Sequence, residues 1–104
     1  MFELTDEDIQ LYRAAAQKWG EDVQTTMLME ECGELVAAVH HHKRGRIDAM
    51  DLLSEMADVL NAMGQVIVLL GEEYDCTPYQ VQEDLQRCLF RSKAKLTRMV
   101  KDAT

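Results

Sequence analysis

The sequence predicts an all-α protein, a four-helix bundle completed by oligomerisation, on three observations. The chain of 104 residues holds one proline, five glycines and seven methionines, so helices have few interruptions. Apolar residues recur at helical spacing through four stretches, and no stretch reads as a strand. Helix start and stop signals fall between those stretches. Residues 1–104 therefore make one domain, near the size at which partner chains often help to complete a core.

Thr5 followed three residues later by Asp8 is a capping box, and it opens a first helix that runs to about Lys18 with Ile9, Tyr12, Ala15 and Ala16 as its apolar side. Trp19 and Gly20 end it, Trp19 serving as a core or interface anchor. A second helix begins near Glu21 and Asp22, whose charges suit a helix N-terminus, and fades into His40, His41 and His42. Residues 40–46 (HHHKRGR) read as a basic loop in which the histidines are a frayed helix end. Asp48 caps a third helix that continues to Leu70, where Gly71 is the expected C-terminal stop. Met63, Val66, Ile67, Val68, Leu69 and Leu70 cover more of that helix than one neighbour can bury, which predicts contact with another subunit. Thr77, Pro78 and Gln80 open a fourth helix, whose apolar stripe is Val81, Leu85, Cys88, Leu89, Leu96, Met99 and Val100.

The second helix contains an expensive arrangement. MLMEECGELVAAV, residues 27–39, sets Glu30, Glu31 and Glu34 into an apolar frame. Like charges one turn apart destabilise a helix and desolvated carboxylates cost more, so a positive partner is required. LLSEMADVLNAM, residues 52–63, repeats the pattern without a gap: Glu55 falls on Glu31 and Asp58 on Glu34. At about 100° per residue, each acidic pair spans roughly 60° beside an apolar arc. Packed side by side, the two helices bring four acids together.

Formal charge is −8 and the isoelectric point is near 4.7, which argues against a nucleic-acid-binding surface. The acidic start MFELTDED lacks the regions of a signal peptide. No apolar run is expected to span a bilayer, because Asp58, Asn61 and Gln65 interrupt the best one. Cys32, Cys76 and Cys88 have no metal-ligand spacing and read as reduced thiols of a cytoplasmic protein.

Carboxylates without imidazole or thiolate favour Mg²⁺, with Mn²⁺ possible, over zinc or copper. Such a site suits phosphoryl or nucleotidyl chemistry, with Glu30 available for a second metal or as general base. Lys43, Arg44 and Arg46, or Lys93, Lys95 and Arg98, are the cations available to a phosphate chain.

Glu30-Glu31-x-x-Glu34 followed by Glu55-x-x-Asp58 resembles the signature of the MazG-like all-α nucleoside triphosphate pyrophosphohydrolases, and Lys95-Leu96-x-Arg98 is similar to the basic end of its small single-domain members. The resemblance implies hydrolysis of a (deoxy)nucleoside triphosphate to monophosphate and pyrophosphate. It implies Mg²⁺ on Glu31, Glu34, Glu55 and Asp58, with Glu30 and Glu31 as the catalytic candidates. It also implies a homodimer or homotetramer. By position, Gln24 and Asn61 are the candidates to face a base or sugar, and so is Trp19 as the alternative to its anchoring role. Two alternatives stand beside it: a hydrolase of another nucleotide pyrophosphate bond, and a non-catalytic helical module that binds nucleotide or metal.

Overall fold

A computed structural model describes residues 3–103. Four helices follow one another: α1 (Asp6–Trp19), α2 (Glu21–Lys43), α3 (Ala49–Glu73) and α4 (Pro78–Ala103), with no strand among the described residues. The two expected capping boxes form, and the expected cap at Asp48 is a third box. Thr5 and Asp8 exchange side-chain and backbone hydrogen bonds, Asp48 and Asp51 do the same, and Thr77 and Gln80 open α4 alike. Each box satisfies orphan N–H groups and fixes where its helix begins, and therefore which residues face inward.

Two helix ends differ from expectation for one reason. The second helix does not fade at the histidines: His40, His41 and His42 belong to its last turn. Gly45 adopts φ 71°, and Gly45 N–H and Arg46 N–H donate to the carbonyls of His42 and His41. That is a Schellman closure, which holds the last turn in place and shortens the basic loop. The third helix likewise runs past Gly71 to Glu73, where Asp75 at φ 54° is the left-handed residue. Asp75 N–H and Cys76 N–H donate to the carbonyls of Glu72 and Gly71.

Gly71 is therefore a site of close approach and not the stop. A Cβ there would stand 2.9 Å from the Cys76 carbonyl oxygen and 3.3 Å from Pro78 N. Gly71→Ala gains about 1 kcal/mol of helix propensity but overpacks against backbone, a cost of about 1–3 kcal/mol. A net loss of stability is expected, read as a lower urea midpoint with an unchanged slope.

α3 lies at the centre and packs against each of the other helices. Leu4, Ile9, Tyr12, Ile67 and Val68 form the core, with Val81 and Leu85 against it. Leu4 N–H donates to Gln82 Oε1 at 2.6 Å, and the Tyr79 hydroxyl donates to Asp6, so the start of α1 is tied to α4. Ile67, Val68 and Leu69 are buried within this one chain, so the far half of the third helix needs less external cover than expected. Met63, Val66 and Leu70 are half-buried in a groove shared with Leu28, Val81, Leu85 and Cys88. The exposed apolar surface lies elsewhere, at Val36, Val39, Leu53, Met56 and Leu60 beside the acids and at Leu96, Met99 and Val100. Of the expected α4 stripe, Val81 and Leu85 reach the core. The helix is about 39 Å long and outruns it.

Another expectation is corrected: α3 is long and apolar enough to cross a bilayer by length and composition. Its mid-helix acids Glu55 and Asp58 and its packing against α1, α2 and α4 fit the central helix of a bundle. Trp19 is half-exposed beneath the Lys18 ammonium, 5.1 Å from the ring centroid, and is not a core residue.

Candidate metal centre

α2 and α3 form the most extensive helix pair, joined by the short connection 44–48, so they run antiparallel. The Schellman end of α2 and the Asp48 capping box set their register. Glu31 and Glu34, one turn apart on α2, meet Glu55 of α3, and carboxylate oxygens of all three lie within 4.8 Å of one another. Asp58 lies outside that tightest set but close enough for its charge to act on Glu31. Glu31 and Glu55 are half-buried, and each has one carboxylate oxygen enclosed with no hydrogen-bond partner among the described residues.

Burial pushes the Glu31 carboxyl above the ordinary glutamate range, and the charges of Glu34, Asp58 and Glu55 push it further. Orphaned hard oxygens, crowded by like charge, fit a divalent cation: it would supply the missing partner and remove the repulsion together. An all-oxygen donor set favours magnesium, manganese or calcium over soft-ligand metals.

The raised Glu31 value makes pH a probe of this crowding. The folded state holds a proton that the unfolded chain releases, so stability is greatest below the unfolded carboxylate value and is lost as pH rises through the raised one. In a chelator, the thermal midpoint is expected to fall as pH rises from the ordinary carboxylate range. Saturating Mg²⁺ should flatten that slope, because metal replaces the proton. An identical slope with and without metal would contradict binding at this cluster.

The remaining expected site residues separate into groups. Glu30 is exposed and lines a shallow groove on α2 with Asp22, Val23, Thr26 and Met27, outside the cluster. Lys43 closes α2 and Arg46 follows it. Lys93 and Arg98 flank a surface hollow with Phe90, Ala94 and Thr97, and Lys95 is exposed beside them. Among the described residues no ion pair joins any of these cations to the acids of the cluster, whereas ion pairs do join Arg13 to Glu72 and Arg87 to Asp84. Gln24, two turns before Glu31, is fully buried, with neither amide atom paired among the described residues. Asn61, one turn beyond Asp58, accepts a 2.8 Å hydrogen bond from the Tyr12 hydroxyl. From sequence Tyr12 reads as apolar filling and Gln65 only as a break in an apolar run; the mid-helix glycine Gly64 was the available signal.

No curated protein and no solved structure matches the chain. The family model of the MazG nucleotide pyrophosphohydrolase domain matches residues 21–93, which contain both acidic helices and the connection between them. The all-α architecture agrees with it, and the chain belongs to the MazG nucleotide pyrophosphohydrolase domain family.

Proposed function

We propose that the protein hydrolyses a nucleoside triphosphate, in ribo or deoxy form, between its α and β phosphates, with Mg²⁺ or Mn²⁺ held by Glu31, Glu34, Glu55 and Asp58. The observation that carries this reading is the convergence of carboxylates from two helices with enclosed, unpaired oxygens on Glu31 and Glu55. Bound there, a hard divalent ion supplies charge neutralisation for the triphosphate and electrostatic activation of the attacking water. Glu34 is the exposed member of the cluster. Water adds to the α phosphorus, its proton passes to a carboxylate oxygen of the cluster that the ion leaves free, the bond from that phosphorus to the bridging oxygen breaks and pyrophosphate leaves. Glu30 faces the neighbouring groove, so Glu30→Gln should keep most of the turnover that Glu31→Gln loses.

The phosphate tail needs cations, and Lys43, Arg46, Lys93, Lys95 and Arg98 stand unpaired with the acids within one chain. A homodimer or homotetramer, acting in the cytoplasm, accounts for this and for the exposed stripe Leu53, Met56 and Leu60 flanking the site. The test is pyrophosphate release from a panel of ribo- and deoxynucleoside triphosphates with Mg²⁺ or Mn²⁺. Release with at least one triphosphate, abolished by chelator, is expected. Binding without release would mark a non-catalytic module, and a product other than pyrophosphate would mark a different scissile bond.

A further inference from the structure

One end of the acidic cluster is polar. Gln24 precedes Glu31 by two turns on α2, and Gln65 follows Asp58 by two turns on α3. Because the helices run antiparallel, both lie on the same side of the acids. They are the buried polar residues of the described chain, and Gln24 is enclosed completely with both amide atoms unpaired. A four-helix core has no packing need for such an amide, and leaving one unpaired disfavours folding.

Asn61 lies between this end and Asp58, and its orientation is settled. The Tyr12 hydroxyl donates to Asn61 Oδ1 at 2.8 Å, which points the amide oxygen at the phenol and leaves the two N–H donors of Nδ2 on the side away from Tyr12. The next turn of α3 carries Gly64, and a Cβ there would stand 2.5 Å from Tyr12 Cε2, so the missing side chain is what lets the ring approach. Asn61 itself remains exposed. Burial, with the nearby Asp8 charge, keeps the Tyr12 hydroxyl above the ordinary phenol range, so it stays a donor.

We infer that Tyr12 is a positioning residue that orients the Asn61 amide with its N–H donors towards the nucleoside end of the acidic site, so that the nucleoside bound there presents an oxygen acceptor to it. This rests on the proposed hydrolysis for the direction in which the triphosphate lies. The oxygen is either a base carbonyl or a sugar hydroxyl.

The test is calorimetric titration of non-hydrolysable α,β-methylene deoxynucleoside triphosphates carrying each common base, with Mg²⁺, into the wild type, Tyr12→Phe and Asn61→Asp. Asn61→Asp keeps the acceptor for Tyr12 but replaces the donor, and should weaken the best analogue by about tenfold or more. Tyr12→Phe frees the amide to rotate and should narrow the preference between oxygen- and amino-presenting bases, raising KM in turnover assays while kcat holds. With a base carbonyl as the acceptor, Asn61→Asp shifts preference towards cytosine and adenine. With a sugar hydroxyl, the loss is equal for every base and absent with 2′,3′-dideoxy analogues. Unchanged affinities in both variants, or losses that merely follow the thermal midpoint, would overturn the inference, as would a wild type that binds none of the analogues. Asn61-dependent binding without pyrophosphate release would sink the hydrolysis reading and leave this one standing. Turnover without Asn61 dependence would do the reverse.

Discussion

Glu31→Gln is expected to lower metal-dependent pyrophosphate release by on the order of 10²–10³-fold, the scale of losing one preorganised electrostatic element from an active site. The same substitution should raise the thermal midpoint of the metal-free protein. Both effects share a cause: Glu31 is the carboxylate whose ionised form burial, Glu34, Asp58 and Glu55 all oppose. The glutamine keeps the length and shape of the side chain while removing its charge, so helicity by circular dichroism should be unchanged. Stabilisation by added Mg²⁺, which in the wild type should grow with metal concentration, should shrink in the variant. Asp58→Asn is expected to follow the same pattern. A variant that keeps full turnover, or that loses activity and helicity together, would show that the acids serve the fold and not a metal.

Ile67→Ala is expected to have the largest effect on stability. Ile67 is 5 % exposed and sits with Val68 where α3 meets Leu4, Ile9 and Tyr12, with α4 closing over the cluster. Truncating a buried isoleucine costs about 2–5 kcal/mol, against a total of about 5–15 kcal/mol for a small domain. The thermal midpoint should fall by at least about 8 °C. Leu96→Ala provides the contrast. Leu96 is 59 % exposed on the part of α4 beyond the core, and its truncation should move the isolated chain by less than about 0.5 kcal/mol. Equal losses at the two positions would mean that the far half of α4 is covered in solution, which sedimentation would then report as a larger assembly.

What the sequence determined by itself is the set of local decisions. Thr5, Asp48 and Thr77 each sit three residues before a side chain that can bond back, so the starts of three helices were legible as chemistry. The ungapped echo of Glu31 and Glu34 in Glu55 and Asp58 was legible for a similar reason, since helical period converts spacing into direction. Helix ends were less legible. Gly71 looks like a stop and is a contact, because a glycine in sequence does not reveal whether it supplies a left-handed turn or room for a neighbouring strand of backbone. The left-handed role at that end fell to Asp75.

Only the tertiary structure decided which acids converge and which polar groups support them. Glu30 and Glu31 are neighbours in sequence, yet about 100° of helical rotation sends one to the cluster and the other to an outer groove. Tyr12 and Asn61 are separated by 49 positions and meet because Gly64 lets α1 lie close on α3. Gln24 acquires its significance through enclosure, which depends on the packing of several helices at once. Local rules place a side chain on a face, and only packing determines what that face meets.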